Sequence, residues 1–146
     1  MKVLFVCTLN SCRSQMAEGF LRHYGQITDQ HKISLQVYSA GTNPSYVNPL
    51  AIKAMKEIGI DISKHRSKNV LEIINQDFDY IITVCDKAKE ACPNFPGKSI
   101  KLHWSFEDPA EVQGNEETKM KTFKKVRDQI KEKIIDFLQN NTLLSG

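Results

Sequence analysis

A chain of 146 residues with 40% hydrophobic and 25% charged side chains has the size and composition of one globular domain, which excludes disorder, collagen-like repeats and low-complexity linkers. Its 20 Lys and Arg against 17 Asp and Glu give a net charge of +3, which suits a small anionic substrate better than nucleic acid. Four cysteines are too few for a secreted disulfide scaffold, and the N-terminal apolar run is too short for a signal peptide or membrane span. We therefore expect one domain over residues 1–146, a cytoplasmic monomer with no nucleic-acid or membrane partner, in which thiols stay reduced.

The first half of the chain alternates predicted strands with predicted helices. Residues 2–7 (KVLFVC) form a continuous apolar run typical of a strand that is buried on both faces. After a polar loop, apolar residues recur at helical spacing as far as Gly25, where the helix is expected to stop. A second strand is predicted over 35–40, and Asn48 followed by proline begins a helix over about 49–58.

The second half of the chain continues this alternation. Ser67 is predicted to cap a helix that carries apolar residues up to position 74, and a strand is predicted over 79–84. A loop with two prolines leads to a fourth strand over 100–104, and an amphipathic helix covers about 116–138. The alternation predicts an α/β fold with a four-stranded parallel sheet flanked by helices and right-handed crossovers, in which ligands bind beyond the carboxyl ends of the strands.

Cys7 ends the first strand, and the segment C-T-L-N-S-C-R-S at residues 7–14 joins it to the first helix. In such a loop backbone N–H groups can converge on one point, the helix N-terminus adds its positive dipole end, and Arg13 offers a planar fork for two oxygens of a tetrahedral oxyanion. We expect this pocket to favour the Cys7 thiolate, Ser14 to hydrogen-bond the sulfur, and Asn10 to adopt a left-handed conformation. The alternative is an inert core cysteine, but the position between strand and helix favours an oxyanion loop. The predicted substrate-binding residues are Thr8, Leu9, Asn10, Ser11, Cys12, Arg13 and Ser14.

Residues 6–19 (VCTLNSCRSQMAEG) resemble the signature of the low-molecular-weight protein tyrosine phosphatases and of their relatives, the thioredoxin-coupled arsenate reductases. The resemblance continues through YSAGT at 38–42, N-P-x-A-I-x-A-M at 48–55, G-I-D-I-S-x-H at 59–65 and HWSFEDPA at 103–110. It covers nearly the whole chain and implies the low-molecular-weight phosphatase-like variant of a Rossmann-like or flavodoxin-like fold.

Three features favour the reductases over the phosphatases. Gln15 follows C-R-S, where the phosphatases usually have Pro and the reductases Gln. The D-P pair is followed by Ala110 rather than by the aromatic residues that wall the phenyl slot of the phosphatases. Cys85 and Cys92 enclose D-K-A-K-E-A directly after the third strand, with the C-x6-C spacing that the reductases carry.

The resemblance implies a relay of three thiols and no cofactor. Cys7 is expected to form a thiol–arsenate adduct, Cys85 to attack Cys7 with release of arsenite, and Cys92 to form a Cys85–Cys92 redox disulfide that thioredoxin or a similar thiol carrier reduces. Asp108 is the expected proton donor or orienting group, so that the catalytic set is Cys7, Arg13, Cys85, Cys92 and Asp108. We expect no metal, because the cysteine spacings depart from those of structural zinc sites.

Two other functions share parts of this pattern. A phosphatase that acts through a phosphocysteine needs only the first thiol, so weak phosphatase activity is expected in either case. A non-catalytic phosphate- or flavin-binding module of flavodoxin-like architecture would gain nothing from a thiol beside Arg13. Cys12 either packs and offers its N–H or forms a protective disulfide with Cys7.

Lys68 departs from the family pattern. Some of the reductases bind potassium near the loop through an acidic residue after H-x-S, and here that position holds Lys68. We expect its ammonium group to take over the electrostatic role of the cation.

Overall fold

The computed structural model describes residues 1–27 and 35–140, so the segments 28–34 and 141–146 of the predicted domain lie outside the described part. Four strands form one parallel sheet in the order β2-β1-β3-β4. The strands are β1 (Lys2–Cys7), β2 (Gln36–Gly41), β3 (Tyr80–Thr83) and β4 (Ile100–His103). The predicted α/β sheet is confirmed, with every strand end within one residue of its predicted position.

β1 lies at the centre of the sheet, and its apolar run is buried. Val6 pairs with Ala40 of β2 on one side and with Thr83 of β3 on the other. The chain passes from β1 to one neighbour and later returns to the other, and the strand order therefore reverses beside β1, which is where open α/β sheets bind ligands. Because both pairings are parallel, the loops that follow Cys7 and Thr83 emerge side by side at one edge.

Four α-helices are present in the described residues: α1 (Arg13–Ile27), α2 (Pro49–Glu57), α3 (Asp86–Ala91) and α4 (Glu116–Asn140). α1 packs against β1, β2 and α4, and α2 packs against α4. The predicted apolar stripe of α4 is confirmed, since its residues Phe123, Val126, Ile130, Ile134 and Phe137 are buried. None of the helices in residues 1–27 and 35–140 is both long enough and apolar enough to cross a bilayer.

The helix predicted after Ser67 is wrong, because this segment forms a single 3-10 turn at Val70–Glu72. Asn69 caps that turn, and its backbone N–H donates to the Glu72 carboxylate. The Ser67 hydroxyl instead donates to the backbone carbonyl of Leu9 in the oxyanion loop, at 2.9 Å. Since Ser67 is engaged with a distant loop, it does not begin a helix.

Two other helices differ from expectation. α1 does not stop at Gly25 but continues to Ile27. The glycine instead leaves room for the Leu35 side chain, which a Cβ at this position would overlap. α3 occupies the segment between Cys85 and Cys92, which was predicted as a loop. Only Ala88 is buried among the six residues of α3, so the segment has no helical apolar period to detect.

Candidate active site

The loop at residues 7–14 curls around the sulfur of Cys7. The backbone N–H of Asn10 donates to Cys7 Sγ at 3.1 Å, and Ser14 Oγ lies 2.8 Å from the same sulfur. Asn10 has a positive φ of 48°, a conformation that asparagine tolerates better than most side chains. The predicted left-handed turn and the predicted contact between Ser14 and Cys7 are therefore confirmed.

The side-chain amide of Asn10 belongs to a buried hydrogen-bond chain behind the loop. Its NH₂ group donates to Ser14 Oγ at 2.8 Å and to Ser39 Oγ at 3.0 Å. Ser39 in turn donates to Glu18 at 2.5 Å, and Ser14 Oγ shares a hydrogen bond with Cys7 Sγ. Ser39 and Glu18 were not predicted as site residues, because they reach the loop only through the side chain of Asn10.

Burial raises the pKa of the Cys7 thiol above its ordinary value, although the hydroxyl and backbone N–H of Ser14 both lower it. The neighbouring Cys85 adds to the rise, and the charge of Arg13 opposes it. Desolvation of the sulfur therefore opposes the expected preference for the thiolate, whereas Ser14 and Arg13 support it. The reactivity of Cys7 should increase as the pH rises, because the thiolate is the nucleophilic form.

Replacing Ser14 by alanine should raise the pKa of Cys7 further, since it removes the hydroxyl that stabilises the thiolate. A hydrogen bond to a charged group is worth roughly 1.5–3 kcal/mol, so alkylation of Cys7 by iodoacetamide at neutral pH should slow by about tenfold or more. Mass spectrometry of the Cys7 peptide across a pH series measures this. Ser11→Ala is the matched control, because the Ser11 hydroxyl contacts Cys12 and not Cys7, and equal rates for both variants would contradict the role of Ser14.

Arg13 begins α1 and is held from the opposite side of the site. Its Nη1 donates to the backbone carbonyl of Phe106 at 3.0 Å, and its Nη2 lies 3.6 Å from Asp108 Oδ2. The other oxygen of Asp108 accepts the backbone N–H of Ala110 at 3.0 Å, which caps the 3-10 turn Pro109–Glu111. The structure thus brings Arg13 and Asp108 together over the loop, with the guanidinium orientation fixed by protein acceptors.

An open cavity lies above Cys7, and three of the four cysteines line it together with Arg13 and Asp108: Cys7, Cys12 and Cys85. The hydroxyl of Thr8 lies 3.3 Å from Cys85 Sγ, which links the oxyanion loop to the end of β3. Leu9 forms part of the rim and is 41% exposed, whereas Ser11 lines the wall and is buried. Parallel pairing of β1 with β3 therefore places two thiols, far apart in sequence, at one oxyanion pocket.

Cys92 lies at the other end of α3 and outside this cavity. Its side chain is half-buried, and burial raises the pKa of its thiol. Seven residues of helical rise separate Cys85 from Cys92, about 10 Å, whereas a disulfide needs Cα atoms within about 7 Å. The two thiols can meet only if α3 unwinds.

Cys12 is buried in the loop, and burial raises the pKa of its thiol to about 12. Its S–H group points to Ser11 Oγ at 3.8 Å. Cys12 is therefore a neutral packing residue in this state.

Gln15 joins the oxyanion loop to the segment around His65. Its amide NH₂ donates to the carbonyls of Asn10 and Arg66, both at 3.1 Å, and its carbonyl oxygen lies 3.0 Å from His65 Nδ1. The sequence motif had identified Gln15 only as a difference between two groups of proteins. The contacts show that it braces the loop from behind.

Lys68 lies in the same layer behind the loop. Its backbone N–H donates to Asn10 Oδ1 at 3.0 Å, and its half-buried Nζ contacts the carbonyl of Arg66 at 3.4 Å. Burial lowers the pKa of Lys68, and the attraction of Glu18 opposes this. In residues 1–27 and 35–140, no cluster of three or more His, Cys, Asp or Glu side chains is arranged to hold a metal ion.

Comparison with known proteins places this site in a family. The family model described as low molecular weight phosphotyrosine protein phosphatase matches residues 2–143. The arsenate reductase of Halalkalibacterium halodurans is 44% identical over 137 residues, 94% of this chain and 94% of that protein. A solved arsenate reductase in the phosphate binding state superposes with a TM-score of 0.75 at 35% identity, covering 95% of this chain and 97% of that one. A thioredoxin-dependent arsenate reductase of Corynebacterium glutamicum superposes with a TM-score of 0.68 at 28% identity, covering 97% of this chain and 62% of that one.

Proposed function

The chain belongs to the low molecular weight phosphotyrosine protein phosphatase family, where it groups with the arsenate reductases, and from that membership we propose that it reduces arsenate to arsenite. The observation that carries the proposal is the second thiol, Cys85, which lines the same cavity as Cys7. Hydrolysis of a phosphoester needs one nucleophile and water. Reduction needs a second thiol near the first, and the position of Cys85 in the same cavity supports this role.

The oxyanion is bound between the loop amides and Arg13. Arsenate and phosphate are near-isosteric tetrahedral anions, and the related reductase solved in a phosphate binding state supports such a site. The fork of Arg13, already oriented by Phe106 and Asp108, can pair with two of the anion's oxygens. Thr8, Leu9, Asn10, Ser11, Cys12 and Ser14 complete the proposed binding loop.

The first step joins Cys7 to arsenic. The sulfur attacks arsenic, a sulfur–arsenic bond forms, and one hydroxyl of arsenate leaves as water with the proton that the Cys7 thiol gives up. Asp108, whose carboxyl faces Arg13 at the cavity wall, is proposed to pass this proton to the leaving oxygen.

The second and third steps move two electrons. Cys85 attacks Cys7 Sγ, a disulfide forms, and the sulfur–arsenic bond breaks with its electron pair going to arsenic, which leaves as arsenite. Cys92 then attacks Cys85, which frees Cys7 as a thiol and leaves the Cys85–Cys92 disulfide. The unwinding of α3 that this step requires is supported by how little of that helix is buried.

A dithiol carrier of the thioredoxin type is proposed as the final reductant. The related thioredoxin-dependent enzyme of Corynebacterium glutamicum supports this choice. Because the relay must return to free thiols, the protein is proposed to work in a reducing cytoplasm. It is also proposed to act as a monomer and without a metal or other cofactor.

Phosphomonoester hydrolysis is the second candidate. The loop, Arg13 and Asp108 have the arrangement that a phosphocysteine mechanism needs, and the first step of the two reactions is shared. We propose it as a weak side activity, since Ala110 and Glu111 line the cavity where an aromatic ester would need apolar walls.

Arsenate-dependent oxidation of NADPH, coupled through thioredoxin and thioredoxin reductase, tests the proposal. Sustained turnover with slow hydrolysis of p-nitrophenyl phosphate is the expected result. Brisk hydrolysis of the ester without arsenate-dependent NADPH oxidation would make the protein a phosphatase.

Potassium should not activate the enzyme. The ammonium group of Lys68 lies behind the loop, where Glu18 attracts it, so a positive charge is already present at that position. We expect kcat/KM for arsenate to change by less than about twofold between sodium and potassium salts at equal ionic strength. Strong activation by potassium would show that Lys68 does not replace a cation.

A further inference from the structure

The first residue of α3 is tied to the end of β4 by a small hydrogen-bonded cluster. His103 Nε2 lies 2.9 Å from Asp86 Oδ1, and Ser105 Oγ donates to the same oxygen at 3.2 Å. On its other side His103 Nδ1 lies 2.7 Å from Thr83 Oγ1, at the end of β3. Thr83, Asp86, His103 and Ser105 are called the Asp86 clamp below.

The proton positions in the Asp86 clamp follow from its acceptors. A carboxylate only accepts, so His103 carries a hydrogen on Nε2, and its Nδ1 shares a hydrogen bond with the Thr83 hydroxyl. The bond from His103 and then that from Ser105 lower the pKa of Asp86, which keeps this carboxylate charged at neutral pH. A negative charge in the first turn also interacts favourably with the dipole of the helix.

α3 is short and is held mainly by tertiary contacts. It is six residues long, Ala88 is its only buried residue, and Cys85 makes no side-chain cap at its N-terminus. Helices of this length are not stable alone in water. The contacts of Asp86 with His103 and Ser105 therefore add to the packing of α3 against β1 and β3.

We propose that the Asp86 clamp holds only the reduced, helical form of α3 and so sets the redox equilibrium between the Cys85 and Cys92 thiols and their disulfide. This inference rests on the proposed function only in taking Cys85 and Cys92 as the redox pair. Formation of the disulfide requires α3 to unwind. Asp86 follows Cys85 directly, so its backbone then loses the helical conformation in which its carboxylate contacts His103. An intact clamp favours the dithiol, and loss of the clamp favours the disulfide.

The test uses the full chain with Cys7→Ser and Cys12→Ser as the parent. Of the four cysteines this leaves Cys85 and Cys92, so no arsenate chemistry enters. The protein is equilibrated with mixtures of glutathione and glutathione disulfide. Two protein thiols and one glutathione disulfide give one protein disulfide and two glutathione molecules. Two electrons and two protons pass from the protein to glutathione in this exchange. Maleimide trapping and mass spectrometry give the equilibrium constant.

Asp86→Ala should shift this equilibrium toward the protein disulfide by about fivefold relative to the parent. The Asp86 side chain is 81% exposed, so the variant should fold like the parent. Adding His103→Gln to Asp86→Ala should produce little further shift, because both changes remove the same contact. Glu90→Ala is the matched control, an exposed carboxylate on the same helix, and should stay within about twofold of the parent.

Two results would overturn the inference, and they differ in what they say of the enzyme. If Asp86→Ala and Glu90→Ala have the same equilibrium constant, the clamp does not control α3, while the redox pair stands. If the parent forms no Cys85–Cys92 disulfide at any glutathione ratio, both the clamp and the relay of the proposed function are wrong.

Discussion

Replacing Cys92 by serine should stop turnover after one arsenite per chain. The first two thiol steps need only Cys7 and Cys85, which line the cavity together, so the first arsenite still forms. The enzyme is then left as a Cys7–Cys85 disulfide, because the thiol that would attack Cys85 is missing. Rapid mixing with arsenate, followed by measurement of arsenite and of free thiols, should show a stoichiometric burst and no steady rate with thioredoxin present.

Ala91→Ser is the matched control for this variant. It introduces the same side chain one position earlier, at an exposed site on α3, and should retain steady turnover. Continued turnover of Cys92→Ser at a rate near that of the unmodified protein would mean that the external reductant attacks Cys85 or Cys7 directly.

Replacing Arg13 by lysine should lower kcat/KM for arsenate by about a hundredfold or more. Lysine keeps the positive charge but lacks the planar guanidinium group. It therefore cannot pair with two oxygens of the anion while it donates to the Phe106 carbonyl. The loss should appear in both kcat and KM, since the charge of bound arsenate changes as the sulfur–arsenic bond forms.

Arg66→Lys is the matched control, because it makes the same arginine-to-lysine substitution outside the candidate active site. The Arg66 side chain pairs with Glu72 on the surface, and this variant should stay within about twofold of the unmodified protein. A fall of less than about threefold for Arg13→Lys would show that the loop amides bind the anion without the guanidinium fork.

The elements that were predicted correctly depend on local pattern. β1 is a continuous apolar run, α4 carries a regular apolar stripe, and α2 begins at an Asn-Pro cap in which Asn48 accepts the N–H of Leu50 at 2.8 Å. Residues 7–14 could be interpreted for the same reason, because a loop between a buried strand and a helix N-terminus builds its anion site from neighbours in sequence.

The elements that were missed depend on distant partners. Ser67 looks like a helix cap, but the chain uses its hydroxyl to hold Leu9 of the oxyanion loop. α3 has no apolar period and is held at its first residue by His103, which follows it by 17 positions. Such contacts override a weak local preference for helix or loop.

The amino-acid sequence alone therefore determined the parallel α/β fold and the loop that follows Cys7, since these depend on apolar periodicity and short-range spacing. The tertiary structure decided where the thiols lie relative to one another. Parallel pairing of β1 with β3 places Cys85 at the cavity of Cys7, whereas the winding of α3 keeps Cys92 away from it. The tertiary structure also adds the burial of Cys7, which raises the pKa of that thiol and opposes the donors of its own loop.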